Sequence, residues 1–143
     1  MKHANKLLLV VDDFEGARQL YSELLLKEGF RVVFAGDGQE GLHKANELQP
    51  DAILMDLSLP RMNGWEATRH LKANEKTRQI PVIMLSAYDL DGTRSLLEEA
   101  GFDGMLTKPW SPEEMVAEIT RVLERRHPSE LTPPAGSGQQ DPG

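Results

Sequence analysis

The chain has 143 residues, 39% of them hydrophobic, which favours one globular domain with a sizeable core. Its 16 basic and 23 acidic residues give a net charge of −7, which argues against a general nucleic-acid or anionic-membrane surface. The absence of cysteine excludes disulfide and thiol chemistry. We find neither a membrane-spanning stretch nor a secretory signal, and the sequence therefore predicts a cytoplasmic protein.

Short apolar runs alternate with segments of helical periodicity. The first run, LLLVV, lacks polar alternation, as is typical of a strand buried on both faces of a parallel sheet. Helical spacing places Leu20 and Leu48 on the apolar stripes of the first two helices, and Ser111 is predicted to cap the last helix. The predicted strands are residues 6–11, 31–35, 52–55, 80–85 and 103–107, and the predicted helices are residues 15–28, 39–48, 64–73, 90–100 and from 112 onward.

Five successive strand–helix units predict an α/β fold, (βα)₅, with a doubly wound parallel sheet and right-handed crossovers. The flavodoxin-like strand order 2-1-3-4-5 is expected. One domain is predicted over residues 1–126. Residues 127–143 contain four of the nine prolines and no apolar periodicity, so we predict a disordered tail there.

Reactive side chains follow four of the five predicted strands. Asp12 and Asp13 follow the first strand, Asp56 the third, Ser86 the fourth and Lys108 the fifth. The predicted order places the remaining strand at an edge, so the four reactive ends are contiguous. Ligands of such sheets bind at the carboxyl ends of the strands, which makes this coincidence the strongest functional indication in the sequence.

Converging carboxylates repel one another, and a hard cation such as Mg²⁺ would relieve the repulsion. An aspartate beside Mg²⁺ and a lysine is placed to attack a phosphoryl group and form an acyl phosphate. Taken singly, each feature has a simpler structural explanation; Asp12 and Asp13, for example, suit an ordinary helix cap. Their joint placement favours a phosphoacceptor site on Asp56.

The motifs at these strand ends resemble those of one family. They are Val11–Asp12–Asp13, Met55–Asp56 with Leu59–Pro60 and Asn63–Gly64, Ser86–Ala87, and Lys108–Pro109. Over residues 6–126 the chain resembles the receiver domain of two-component response regulators, specifically the stand-alone single-domain type. The resemblance implies that a histidine kinase or a histidine phosphotransfer protein phosphorylates Asp56, and that the output is protein–protein signalling.

The resemblance also implies a role for each site residue. Asp13 and Asp56 would bind Mg²⁺ directly, and Asp12 would bind it through water. The Ser58 carbonyl would be a third protein ligand of Mg²⁺. Lys108 would contact the phosphoryl group, and a cis peptide bond to Pro109 would aim the lysine at it. Ser86 and the Ala87 N–H would bind the same phosphoryl group. Phosphorylation would then shift the face formed by the fourth helix, fifth strand and fifth helix toward a state that binds a downstream protein.

Two positions bear on the output and lifetime of that state. Met105 stands where the family usually carries an aromatic switch residue, so a simple aromatic switch is not expected. Tyr88 is expected to cover the site and slow self-dephosphorylation. The expected protein is not a turnover enzyme and does not contact nucleic acid or membrane directly.

Three alternatives stay open at this stage. They are a degenerate receiver that binds partners without phosphate, a Mg²⁺-dependent aspartate phosphohydrolase, and flavin binding on the same sheet. Adjacent Asp12 and Asp13 lack the Asp-x-Asp spacing of aspartate phosphatases. They would also repel a flavin phosphate at the loop after the first strand.

Overall fold

A parallel sheet is the centre of the computed structural model, which describes residues 5–57, 62–86, 98–107 and 109–126. Its strands are β1 (Leu7–Val11), β2 (Arg31–Ala35), β3 (Ala52–Asp56), β4 (Val82–Ser86) and β5 (Gly104–Thr107). The helices whose two ends both lie in the described part of the chain are α1 (Glu15–Lys27), α2 (Gly38–Leu48), α3 (Gly64–Ala73) and the C-terminal helix (Pro112–Arg126). The strand order is β2-β1-β3-β4-β5, and every neighbouring pair is parallel, so the predicted fold is confirmed.

Most element bounds agree with the sequence prediction, and the differences have local causes. β4 begins at Val82 rather than at residue 80, since Pro81 has no N–H to donate and only its carbonyl pairs with β3. β3 extends one residue further than predicted and includes Asp56. In the fourth predicted helix, residues 98–100 are helical, whereas residues 90–97 lie outside the described residues. The tail at 127–143 also lies outside them, and its disorder stays a prediction.

The strands are buried on both faces because successive residues join two different cores. In β1, Leu8 and Val10 pack into one cluster with Tyr21 and Leu25 of α1 and with the C-terminal helix. Leu9 and its alternate neighbour Val11 pack into a second cluster that includes buried residues of α2 and α3. Continuous apolar runs therefore reflect a sheet with helices on both sides.

Two leucines that helical spacing placed on buried faces are exposed. Leu20 is 70% exposed because α1 turns Tyr21 inward, and adjacent helical positions point about 100° apart. Leu48 is 44% exposed at the last position of α2, where Gln49 adopts a left-handed conformation and ends the helix. None of the helices in the described part of the chain has the length and apolar character needed to cross a bilayer.

Candidate functional site

Strand register brings the predicted acidic residues to the same level at one edge of the sheet. Val11 of β1 pairs with Met55 of β3, so the residues that follow them, Asp12 and Asp56, lie side by side. The Asp12 N–H donates to the Ala35 carbonyl of β2 at 3.0 Å, which fixes the backbone as the chain leaves β1. The neighbouring strands β1 and β3 thus place these two carboxylates at the same end of the sheet.

Asp12, Asp13 and Asp56 form an acidic cluster in which one carboxylate oxygen of each lies within 4.8 Å of the others. Asp12 is only 4% exposed, Asp56 is half-buried and Asp13 is exposed. Two carboxylates about 4 Å apart repel by roughly 4 kcal/mol at an effective dielectric constant of about 20. A nearby cation would offset this repulsion.

The donor set of the cluster fits Mg²⁺. All three side chains offer carboxylate oxygens, the hard ligands that Mg²⁺ prefers. The cluster opens to solvent at Asp13, which suits an ion that keeps several waters. The chemistry of these residues is therefore compatible with the predicted magnesium site.

The innermost carboxylate, Asp12, has a backbone donor and lies near a buried tyrosine. Its Oδ1 accepts a hydrogen bond from the Phe14 N–H at 3.0 Å. Burial first, and then the charges of Asp12 and Asp56, raise the pKa of Tyr21 above its ordinary value. Helical spacing predicts Tyr21 only as a core residue of the first helix, so the sequence did not indicate that Tyr21 lies near the acidic residues.

Ser86 is the last residue of β4 and only 3% exposed, and it pairs with Thr107 of β5. Ser86 therefore lies on the strand next to that of Asp56. It comes one residue after Leu85, which pairs with Asp56 between β3 and β4. Pro109, two residues after the end of β5, is exposed. Four other predicted site residues, Ser58, Ala87, Tyr88 and Lys108, lie outside the described residues, so their predicted roles are untested.

A close approach of α3 supports the strand end that carries Asp56. Asn63 caps α3 by accepting a hydrogen bond from the Glu66 N–H at 2.9 Å. The Gly64 N–H then donates to the Leu57 carbonyl at 3.1 Å. A Cβ on Gly64 would collide with the Asp56 carbonyl oxygen and would lie 2.9 Å from the Leu57 Cα. Gly64 is therefore required by space, in addition to forming a turn.

Met105 lies on the outer strand β5, half-buried, with its side chain packed against the cluster that contains Phe102. Its N–H donates to Glu118 Oε2 of the C-terminal helix at 2.9 Å. Arg121 Nη2 donates to the same oxygen at 2.8 Å. Met105, which stands at the usual position of the aromatic switch residue, is thus hydrogen-bonded through its backbone N–H to the C-terminal helix.

An apolar groove of about 470 Å³, here called the α1 groove, runs between α1 and the start of the C-terminal helix. Phe14 at its edge is 67% exposed and Leu20 is 70% exposed. Its other lining residues are Ala17, Tyr21, Leu24, Pro109, Trp110, Pro112 and Met115. Because Phe14 follows the acidic pair by one residue, the groove adjoins the acidic cluster.

Comparison with known proteins identifies the relatives of this chain. A family model described as the response regulator receiver domain matches residues 8–120. The alkaline phosphatase synthesis transcriptional regulatory protein PhoP of Bacillus subtilis is 36% identical over 137 residues, which cover 96% of this chain and 55% of PhoP. The chain spans about half the length of the curated relatives it matches.

Solved structures agree with this assignment. Chemotaxis response regulator CheY4 of Vibrio cholerae superposes with a TM-score of 0.78 at 30% identity, covering 83% of this chain and 99% of CheY4. The receiver domain of sensor histidine kinase PA1611 from Pseudomonas aeruginosa superposes with a TM-score of 0.73 at 34% identity, covering 85% and 97%. That structure has a magnesium ion coordinated in its active-site cleft.

Proposed function

The chain belongs to the response regulator receiver domain family, and we propose that it is a phosphoacceptor switch modified on Asp56. The observation that carries the proposal is the acidic cluster of Asp12, Asp13 and Asp56 at the carboxyl ends of β1 and β3. Asp56 is half-buried at the end of a strand whose preceding four residues are buried. The buried strand therefore fixes the backbone of Asp56, whereas its carboxylate stays accessible to a phosphoryl donor.

In this proposal, Asp13 and Asp56 bind Mg²⁺ through carboxylate oxygens, Asp12 acts through water, and the Ser58 carbonyl completes the protein ligands. Bound Mg²⁺ supplies neutralisation of negative charge on the phosphoryl oxygens. The family relation and the magnesium ion in the PA1611 receiver structure support this assignment. The oxygen-only donor set described above supports it independently.

The residues of the chain perform a simple displacement. A carboxylate oxygen of Asp56 attacks phosphorus, a new O–P bond forms, and the bond from phosphorus to the donor's histidine nitrogen breaks, with the electron pair leaving on nitrogen. Lys108, the Ser86 hydroxyl and the Ala87 N–H hold the phosphoryl oxygens. The product is an acyl phosphate on Asp56, and hydrolysis of that bond returns the protein to its starting state.

Receiver domains act between histidine kinases and downstream partners. For this chain we propose a histidine kinase or histidine phosphotransfer protein as donor, and output through the face around β5 and the C-terminal helix. The protein catalyses its own phosphotransfer without turnover on a separate substrate, and it acts in the cytoplasm. PhoP is named a transcriptional regulatory protein, so the expected lack of nucleic-acid contact stays a prediction that concerns these residues alone.

The decisive experiment is incubation with acetyl phosphate and Mg²⁺, followed by intact mass spectrometry. The parent should gain one phosphoryl group, and Asp56→Asn should gain none. Asp37→Asn is the matched control: Asp37 lies in the loop after neighbouring β2, its carboxylate caps α2 at 2.9 Å, and asparagine caps equally well. A parent that stays unmodified where a known receiver is labelled would refute the proposal and favour a phosphate-independent interaction module.

A further inference from the structure

The two outermost strands of the described sheet each have one side without a neighbouring strand. β2 is the first strand in the sheet order and β5 is the last. The outward-facing N–H and C=O groups of such edge strands can pair with a strand of another molecule, which leads to self-association. In both edge strands of this protein, side chains of the helix that follows the strand bind some of these groups.

At β5, an acid–base pair of the C-terminal helix binds the edge. Glu118 Oε2 accepts a hydrogen bond from the Met105 N–H at 2.9 Å. Arg121 Nη2 donates a hydrogen bond to the Asp103 carbonyl at 3.2 Å. The two side chains also bind each other, with Arg121 Nη2 at 2.8 Å from Glu118 Oε2 and Nε at 3.0 Å from Oε1. The pair thus satisfies one backbone acceptor and one backbone donor, on either side of Gly104.

The same arrangement occurs at β2, where the acid–base pair belongs to α2. Glu40 Oε1 accepts a hydrogen bond from the Gly36 N–H at 2.8 Å. Lys44 Nζ donates to the Phe34 carbonyl and lies 3.1 Å from Glu40 Oε2. Ala35, between these two backbone groups, faces the sheet instead, since its carbonyl accepts a hydrogen bond from the residue that follows β1. Both edges of the sheet are therefore bound in the same way by unrelated parts of the sequence.

Each pair takes the place of one residue of an added parallel strand. In a parallel ladder, such a residue donates its N–H to one carbonyl of the neighbouring strand and accepts from the N–H two residues further along. The pair at β5 binds the carbonyl of residue 103 and the N–H of residue 105, and the pair at β2 binds those of residues 34 and 36. Ion pairs that only stabilise a helix need no contact outside it, so helix stability does not account for this spacing.

We propose that the Glu40–Lys44 and Glu118–Arg121 pairs are edge caps, which prevent a second copy of this chain from adding a strand to the sheet. A second copy is the partner concerned because it presents the same edge strand, and two identical strands can pair about a two-fold axis. With both caps closed, the helices and loops stay available for contacts while the sheet edges do not. The inference does not depend on phosphorylation of Asp56.

The test compares self-association of the parent with that of Glu118→Ala/Arg121→Ala and Glu40→Ala/Lys44→Ala, by sedimentation velocity over a range of concentrations. Each double substitution removes one acidic and one basic residue, so the net charge stays at −7. The backbone groups made available at an edge should strengthen association by about tenfold or more. Glu23→Ala/Lys27→Ala is the matched control, because it removes an exposed acidic and an exposed basic residue at i,i+4 spacing from α1. It should associate no more than the parent.

Amide hydrogen exchange shows directly whether the caps are closed. The Met105 and Gly36 amides should be protected in the parent, exposed in the corresponding double variant when it is dilute, and protected again when it associates. Glu118→Gln keeps an acceptor for the Met105 N–H and should behave as the parent does. Unprotected Met105 and Gly36 amides in the parent would overturn the proposal, whether or not a double variant folds. Folded double variants that expose these amides and yet associate no more than the control would also overturn it.

Discussion

Gly64→Ala is expected to disturb the strand end that carries Asp56. The added Cβ would meet three backbone atoms, including the Leu57 Cα at 2.9 Å and the Asp56 carbonyl carbon at 3.0 Å. Carbon atoms pack favourably at about 3.5–4.0 Å, so α3 or β3 has to move by roughly half an ångström or more. Overpacking of this kind typically costs about 1–3 kcal/mol, and backbone atoms cannot rotate away as a side chain can.

The free energy of unfolding from urea denaturation measures this cost, and the initial rate of labelling by acetyl phosphate measures the displacement of Asp56. Both should fall for Gly64→Ala. The matched control is Gly36→Ala, whose Cβ would come within 2.9 Å only of an Arg18 guanidinium nitrogen, the movable end of a flexible side chain. If Gly64→Ala proves as stable and as readily labelled as the control, the close approach does not constrain the site.

Three further predictions address docking, capping and pH. A protein donor has to cover surface beside the acidic cluster, and the exposed apolar α1 groove adjoins it, so we expect the donor to contact Leu20. Leu20→Ala should therefore slow phosphotransfer from a phosphorylated histidine kinase but not from acetyl phosphate. Leu26→Ala, which removes an exposed leucine outside the α1 groove, should change neither rate. Ser111→Ala should lower the free energy of unfolding by about 1 kcal/mol in urea, because the Ser111 hydroxyl accepts the Glu114 N–H at 3.0 Å and the Glu114 carboxylate accepts the Ser111 N–H at 2.7 Å. The raised pKa of Tyr21 means that the folded protein binds the phenolic proton more tightly than the unfolded protein does. The resulting stabilisation is complete below about pH 10 and is lost as the pH rises above it. Tyr21→Phe should therefore show a shallower loss of stability than the parent above pH 10, and equal slopes would contradict the pKa shift.

The sequence predicted the features that depend on pattern. Continuous apolar runs gave the strands of a two-sided sheet, and residues 31–35 and 64–73 coincide with β2 and α3. The capping box at Ser111 was predicted from residue types and is present. The convergence of the acidic residues followed from strand order, since the carboxyl ends of adjacent parallel strands meet at one edge.

Features that depend on the packing of distant segments were not predictable in this way. Periodicity cannot distinguish Leu20, which is exposed, from Tyr21, which is buried, until the rotation of α1 on the sheet is known. It also assigns Tyr21 to the core without showing that the charges of Asp12 and Asp56 act on its hydroxyl. The sequence names Gly64 only as part of the Asn63–Gly64 motif, whereas the structure shows that the backbone at the end of β3 leaves no room for a side chain there.

The constraint on Met105 changes how its departure from the family pattern is understood. β5 is the last strand in the described sheet order, and Glu118 supplies the acceptor that its outward-facing Met105 N–H lacks within the sheet. Glu118 can come this close because Gly104 has no side chain; a Cβ there would lie 2.5 Å from Glu118 Oε2. The backbone at Met105 is thus fixed from the side of the C-terminal helix. We therefore expect a response at this position to come from the methionine side chain, which packs against the cluster that contains Phe102 and whose three rotatable bonds allow repacking.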